Sequence, residues 1–347
     1  MLSEKQILEV REHLEKAQNP LFFYDNDADG LCSFILFRKF IERGKGIAVR
    51  SHPDIDENYA KRAQELNADY IFVLDRPILG KKFVEEIRKL QLPIVWIDHH
   101  SIEEDYDDIS VYNPTKSKEK SSEPVSYLAY KVTERKEHMW LAIMGCIADH
   151  YLPDFNKEFS KKWPEYWGKN IKGPFDAYYK TEIGRLARVL GSALKDSVTH
   201  VIQLQNFLIQ VNNPGDIFLE IESNKPFATK YREITKKYNS LMEKAKNNVN
   251  DNLLFFNYSG DLSISSDISN ELSYLYPKKV ILVAYTSGPI TNISMRGKSV
   301  KKIIEKILPN FENSAGGGHE EAVGARLQTK DLEKFKNEVE KEIYNIK

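Results

Sequence analysis

The sequence predicts an α/β protein: an N-terminal domain with a mostly parallel sheet flanked by helices, a helical connector, and a smaller C-terminal α/β domain. Three observations predict it. Short apolar runs alternate with helical patterns between Leu21 and Ile97 at the spacing of βαβ units. From Tyr151 to about Asn250 the pattern becomes helical, aromatic and lysine-rich. Strand-like and helical runs resume near Asp251. A chain of 347 residues has room for about two domains, and the expected division is 1–150, a connector over 151–250, and 251–347.

Met1 to Ala17 reads as an amphipathic, charged helix rather than a leader peptide. Leu21–Tyr24, Ile47–Arg50, Tyr70–Leu74 and Ile94–Ile97 are the expected strands, separated by helical patterns over Leu31–Arg43, Glu57–Leu66 and Lys81–Leu90. The residues just after these strands carry the chemistry. The first strand runs into Asp25-Asn26-Asp27-Ala28-Asp29-Gly30, the third into Asp75, and the fourth into Asp98-His99-His100. A further helix, His138–Ala148, delivers Asp149-His150. Ligands of such sheets gather at the carboxyl edge, so the clusters should converge there. Three aspartates crowded at one strand tip repel one another unless a cation neutralises them. Oxygen donors of that kind suit hard divalent ions such as Mg²⁺ or Mn²⁺. One such residue is equally a turn or cap; four clusters at one edge are harder to assign to turns.

Ser101–Ser122 is polar, carries the acidic run Glu103, Glu104, Asp105, Asp107, Asp108, and reads as a surface loop. A helix should start after it, with Ser122 as cap and Pro124 in the first turn. The middle region brings Trp163, Tyr166, Trp167, Phe175, Tyr178 and Tyr179, then a long apolar helical pattern over Ile183–Val211. Phe227–Val249 reads as a basic helix, with Lys225, Lys230, Arg232, Lys236, Lys237, Lys244 and Lys246 against Glu233 and Glu243. It is either a solvated connector or a phosphate-tracking surface that nearby aromatics supplement by base stacking.

In the last part, Leu253–Tyr258, Lys279–Ala284, Thr291–Met295 and Glu321–Leu327 are strand-like, while Ile268–Leu275, Val300–Leu308 and Leu332–Tyr344 are helical. Its conspicuous stretch is Gly316-Gly317-Gly318-His319. Consecutive glycines let backbone N–H groups approach an anion, and a following helix start would add a favourable dipole. With Arg296-Gly297 ending a neighbouring strand, a phosphate or nucleotide cradle is expected.

Bulk properties narrow the field. A 41% hydrophobic content supports real cores, and 29% charged residues fit a water-facing surface. Fifty basic against 51 acidic residues give no global sign, so any nucleic-acid contact must be a local patch. Cys32 and Cys146 sit inside apolar patterns and read as buried thiols, which argues against a disulfide framework and for a reducing, cytoplasmic location. No run approaches the ~18 apolar residues of a membrane span.

Together these clusters resemble the DHH phosphoesterases with a DHHA1 domain, the superfamily of RecJ-type nucleases and short-oligonucleotide phosphodiesterases. The likeness covers roughly residues 18–150 and 251–330. Asp25 to Gly30 looks like the RecJ-type first motif, Asp75 the second, Asp98-His99-His100 the triplet that names the family, and Asp149 the fourth; Gly316 to His319 with Ala322 and Gly324 looks like the DHHA1 signature. The resemblance implies two Mn²⁺ (or Mg²⁺) ions. Asp25, Asp27 and Asp75 would hold one, and Asp29, Asp75, His99 and Asp149 the other. His100 would face the scissile phosphate and Asp98 would orient a histidine. Arg296 and His319, with Gly316, Gly317 and Gly318, would grip the substrate. Two positions depart from the family pattern: Asp25 stands where histidine is frequent, and His150 follows Asp149 where threonine is frequent.

The activity so implied is a metal-dependent phosphodiesterase, expected to be an exonuclease on single-stranded DNA or RNA that releases mononucleotides, with 3′ to 5′ polarity favoured. The alternatives within the superfamily are a nanoRNase, a cyclic-dinucleotide phosphodiesterase and a phosphatase of 3′-phosphoadenosine 5′-phosphate. A different class is a non-catalytic replication or repair scaffold, against which every ligand position here carries a competent residue. Inorganic pyrophosphatases share the first domain type but not the glycine-histidine loop. Single-stranded nucleic acid or short oligonucleotides, and a replication or repair protein, are the expected partners.

Overall fold

A computed structural model describes residues 1–51, 54–102, 106–117, 119–218, 225–247 and 252–345. Glu103, Glu104 and Asp105 of the acidic run, and the expected domain start at Asp251, lie outside the described residues. The chain divides into two compact units, Met1–Arg232 and Glu233–Lys347.

The first unit opens with α1 (Glu4–Lys16), then β1 (Pro20–Asp25), α2 (Ala28–Ile41), β2 (Lys45–Val49), α3 (Glu57–Glu65), β3 (Tyr70–Leu74), α4 (Lys81–Lys89), β4 (Ile94–Ile97) and β5 (Ser110–Tyr112). All neighbouring strands pair in parallel, in the order β2-β1-β3-β4-β5. A parallel sheet is covered on both faces, which is why its strands read as unbroken apolar runs. Alternate residues serve different cores. Phe22, Tyr24, Phe72, Leu74, Val95 and Ile97 pack with α1, α2, α5 (Val125–Thr133) and α6 (Met139–Ala148). Leu21, Phe23, Ile71, Val73, Ile94 and Trp96 pack with α3 and α4. The strand order reverses between β1 and β3, and such a switch point opens a crevice at the carboxyl ends of those two strands.

Three expectations for this unit change. The polar stretch after Ser101 contains β5, paired to β4 from Val95↔Ser110 to Ile97↔Tyr112; three residues are too few to show a strand period. Ser122 does not cap α5, whose N-cap is Pro124 and whose first amides donate to no cap side chain of its own segment. The pattern over Ile183–Val211 is two helices, α10 (Glu182–Ala193) and α11 (Val198–Gln210), after α7 (Asn156–Lys162), α8 (Pro164–Trp167) and α9 (Pro174–Lys180). Ser197 breaks the run by accepting from the His200 amide at the start of α11. Phe159, Trp163, Trp167, Leu186, Leu204 and Phe207 belong to the same core as Phe22 and Phe72, so the middle region is packed onto the first sheet's helical layer.

In the second unit the order is β6 (Leu253–Ser259), β7 (Val280–Ser287), β8 (Ile290–Arg296), β10 (Ala322–Gln328), β9 (Ala315–His319). β6 and β7 are parallel and the remaining pairs antiparallel. One face packs on α13 (Ser265–Leu275) and on Met242 and Ala245 of α12 (Lys225–Lys246), the other on α14 (Val300–Ile307) and α15 (Leu332–Asn345). The glycine stretch is β9 itself, an edge strand with β10 after it. No helix start follows His319, so the expected dipole contribution is absent. Both cysteines are buried and unpaired, and no helix among the described residues is long and apolar enough to cross a membrane.

Candidate metal centre

The tip of β1 folds back on itself. Asp25 ends the strand and Asp27 caps α2, its Oδ1 accepting from the Gly30 amide at 2.9 Å. A Cβ on Gly30 would lie 2.4 Å from the Asp25 carbonyl oxygen, so this turn closes only around glycine. The early start of α2 places Asp29 in its first turn, against the N-terminus of α5. There Asp29 Oδ2 accepts from the Val125 amide at 2.7 Å, and Oδ1 from the Ser126 amide at 3.0 Å and the Ser126 hydroxyl. The cap that α5 lacks locally is therefore supplied by Asp29.

Asp75 follows β3 in the left-handed region, with φ of 59°, which few residues with side chains adopt. Its amide donates to the Ile97 carbonyl at 2.9 Å, while its buried Oδ1 has no hydrogen-bond partner among the described residues. After β4, the fully buried Asp98 accepts at Oδ2 from the His100 amide at 2.9 Å and from Asn113 Nδ2 at 3.2 Å. Its Oδ1 lies 2.9 Å from His100 Nδ1. Asn113 is in place because it directly follows β5.

His99 turns the other way. Its Nδ1 lies 3.3 Å from the Ser122 carbonyl oxygen, which places the ring proton there. Nε2 then faces Asp75 Oδ1, 3.4 Å away, and Asp149 Oδ2, 3.3 Å away. Donor atoms sharing one hard divalent ion at bonds of about 2.1 Å sit about 3 Å apart, and a histidine tied at Nδ1 to a carbonyl is the usual way to orient such a ligand. Asp149 arrives as the C-cap residue of α6.

Two groups of donor atoms result, each with all members within 4.8 Å of one another: Asp25, Asp27 and Asp75, and Asp75, His99 and His100. Asp75 is common to both. Asp29 and Asp149 are in neither: both oxygens of Asp29 accept from the start of α5, and Asp149 approaches the second group at His99 Nε2, 3.3 Å away. Burial raises the Asp75 carboxyl well above its ordinary value, with Asp27 and Asp29 adding to the effect. Asp27 is pushed up to about 8 by burial and then by Asp25 and Asp29. Asp29 is raised to about 6, by burial first and Asp149 second. Acids packed this way are unfavourable as anions in their own field, and a bound divalent cation inverts that balance. The carboxylate and imidazole donors, with the unpartnered Asp75 Oδ1, fit such ions.

Three contributors were not identified from the sequence. Arg76 is 4% exposed; its Nη1 pairs with Asp25 and its Nη2 donates to the Ser51 carbonyl at 3.0 Å. Ser126 and Asn113 hold Asp29 and Asp98, respectively. The only sequence signal for Arg76 was a cation directly after a strand-end aspartate.

In the second unit, Arg296 and His319 are both register partners of Ala322, from opposite sides of β10. Their backbones are thus two strand spacings apart, about 9.5 Å. Arg296 is steered by Asn270, whose Oδ1 accepts from Nε at 2.6 Å. The three glycines differ. A Cβ on Gly316 would meet the Gly324 carbonyl oxygen at 2.7 Å, and on Gly318, where φ is 144°, the Ala322 carbonyl oxygen at 2.4 Å. A Cβ on Gly317 would meet nothing within 4 Å. Packing accounts for two of the glycines and not for the middle one.

No curated protein matches this chain. Among solved structures, it is similar to a RecJ from Thermus thermophilus in complex with Mn²⁺, at 14% identity and a TM-score of 0.65 over 98% of this chain. This chain spans 54% of that protein's length. A pGpG-specific phosphodiesterase, PggH, from Vibrio cholerae is similar at 12% identity and a TM-score of 0.55, covering 94% of this chain and 99% of its own. CDC45 from Entamoeba histolytica is similar at 10% identity and 0.54, covering 98% of each chain. At these identities the likeness concerns the fold. Family models match as the DHH family N-terminal domain over residues 21–152 and as the DHHA1 domain over residues 250–345. With the strand-tip aspartates and Asp98-His99-His100 inside the first match and the glycine strand inside the second, the chain carries a DHH family N-terminal domain and a DHHA1 domain.

Proposed function

We propose that this protein is a metal-dependent phosphodiesterase acting as an exonuclease on single-stranded DNA or RNA, trimming from the 3′ end and releasing mononucleotides. The observation that carries the reading is the sharing of Asp75 between two donor groups at the switch point of the first sheet. Asp25, Asp27 and Asp75 would hold one Mn²⁺ or Mg²⁺, and Asp75, His99 and Asp149 the other, with Asp29 bracing α5 behind them. Divalent ions at this edge supply Lewis-acid neutralisation of phosphoryl oxygens. The chain's own residues do the rest. Hydrogen bonding to Asp98 raises the His100 imidazole above its ordinary value and so favours the protonated ring, whose Nε2 can donate to a phosphoryl oxygen. Arg296, Gly317 and His319 bind further phosphates of the strand, and Asp98, fixed by Asn113, keeps His100 in one orientation.

The short-substrate alternative draws support from PggH, described as pGpG-specific and matched over nearly its whole length. The scaffold alternative draws on CDC45, against the presence of a competent residue at every expected ligand position. One experiment separates them: incubation with Mn²⁺ and a single strand of about 20 nucleotides, labelled at either end, as DNA and as RNA, beside pGpG. A ladder of mononucleotides supports the exonuclease, and the label released first fixes the polarity. Cleavage of pGpG with the long strand intact selects the short-substrate enzyme. Failure to cleave any of them rejects the phosphodiesterase reading.

A further inference from the structure

Asp149 lies beside His99, and the next residue, His150, turns the chain with φ of 55° as α6 ends. Its amide reaches the Ile147 carbonyl at 3.2 Å, and the Tyr151 amide reaches that of Cys146 at 2.8 Å. This helix-ending position favours glycine or asparagine; a histidine occupies it here against that preference. Its ring lies parallel to Phe175, with centroids 4.3 Å apart and planes 22° from each other, and meets Tyr178 edge-on at 5.9 Å. Tyr178 is in turn flanked by Tyr179 at 5.0 Å and by the Arg188 guanidinium at 5.6 Å. The stack is therefore backed on one side by fixed aromatic and cationic groups. At its other end Phe175 is 43% exposed. Trp163 and Trp167, from the same aromatic stretch, are buried in the core instead.

We propose that the His150–Phe175 stack, one residue past Asp149, is the seat of a nucleobase belonging to the nucleotide held at the metal centre. The inference rests on the phosphodiesterase reading for what is bound, and it narrows the substrate class to phosphodiesters that carry bases. An aromatic platform takes any base, because every base presents a π-face. Sequence tolerance on a single strand follows from it.

The test uses the full chain and two probes. The first is an oligothymidylate and the same strand with an abasic residue at its 3′ end, compared by steady-state kinetics with Mn²⁺. Phe175→Ala is expected to raise KM for the oligothymidylate about tenfold with kcat within about twofold, and to narrow the gap in KM between the two strands. A tenfold change corresponds to about 1.4 kcal/mol, within the range of one base–aromatic stack. Phe175→Leu, which keeps the apolar bulk, should behave like the alanine variant, and Phe175→Tyr should restore the wild-type KM. The second probe is a single strand carrying 2-aminopurine at its 3′ end, whose fluorescence falls when the base is stacked. Binding to the wild type should quench it, and binding to Phe175→Ala or His150→Ala should quench it less. Equal quenching by all three proteins, or a KM change of the same size on both strands, overturns the base seat. Loss of quenching in the variants of a protein that cleaves no strand upholds the base seat and rejects the catalytic reading alone.

Discussion

At the carboxyl edge of the first sheet the candidate groups are carboxylates and imidazoles gathered around the buried Asp29, Asp75 and Asp98, held by specific partners and pushed against one another. At the open edge of the second sheet they are the backbone amides and exposed imidazole of β9, with Arg296 at the end of β8 held by Asn270. The first arrangement is strained by its own charge and has a fixed geometry. The second has little charge density and an open edge, where a ligand can complete the unpaired backbone of β9. The contrast suggests that ion binding and chemistry need the packed sheet, whereas holding a strand of variable sequence needs only backbone and a few donors.

The largest expected effect tests the packed side. Asp75→Asn should lower turnover of the labelled strand by on the order of a thousandfold, because both donor groups lose their common member. In the metal-free state the same variant should melt no lower than wild type, since a buried, repelled carboxylate has been neutralised. Activity within tenfold of wild type would show that the two groups do not act through Asp75.

Asp29→Ala comes next. Two amides at the start of α5 and one hydroxyl lose their acceptor, so the metal-free protein should lose about 2 kcal/mol in urea denaturation. If its stability is unchanged and Mn²⁺ stoichiometry falls instead, Asp29 is a ligand rather than a brace.

The charge repulsion itself is visible through pH. Asp27 has its folded-state value raised from 3.8 to about 8. The folded metal-free state therefore binds more protons than the unfolded one between those values, and its stability should fall as pH rises from 4 to 8. Mn²⁺ must displace that proton, so its affinity should rise by up to about tenfold per pH unit and level off near pH 8. Calorimetric titration at pH 6, 7 and 8 measures this; a flat profile would mean that Asp27 is already ionised without the ion.

The smallest effects belong to the open side. His319→Ala should raise KM several-fold while leaving the melting temperature alone. Gly317→Ala, with free space for the added methyl, should do the same more weakly, whereas Gly318→Ala should lose about 2 kcal/mol of stability or more, because its Cβ meets the Ala322 carbonyl oxygen at 2.4 Å and its φ of 144° strains any side chain. If Gly317→Ala changes neither KM nor melting, the glycine strand binds nothing.

The sequence revealed the first sheet well for a physical reason. Strands buried on both faces end abruptly where the chain reaches water, so Tyr24, Leu74 and Ile97 are sharp boundaries and the acids after them stand out. The hydrogen bonds of Asp29 were not legible, since its partners Val125 and Ser126 lie far along the chain and nothing local announces them. Ser122 was read as the cap of α5 because a cap is ordinarily sought in its own segment. β5 was missed because Ser110–Tyr112 is shorter than one full alternation of a strand face. The glycine stretch was read as a loop before a helix because glycines carry no side chains to display a strand's period. Arg76 escaped notice because its meaning depends on Asp25, across a neighbouring strand.

The bond between Asp29 and α5 also orders events during synthesis. Val125 and Ser126 follow Asp29 by 96 and 97 residues. At about 5 to 20 residues per second, roughly 5 to 20 seconds separate the emergence of the acid from that of its acceptor-seeking amides. Until then β1 and α2 carry a carboxylate that cannot be buried without penalty. A nascent chain halted before residue 125 should thus keep the start of α2 open to proteolysis, and release past α6 should close it in one step.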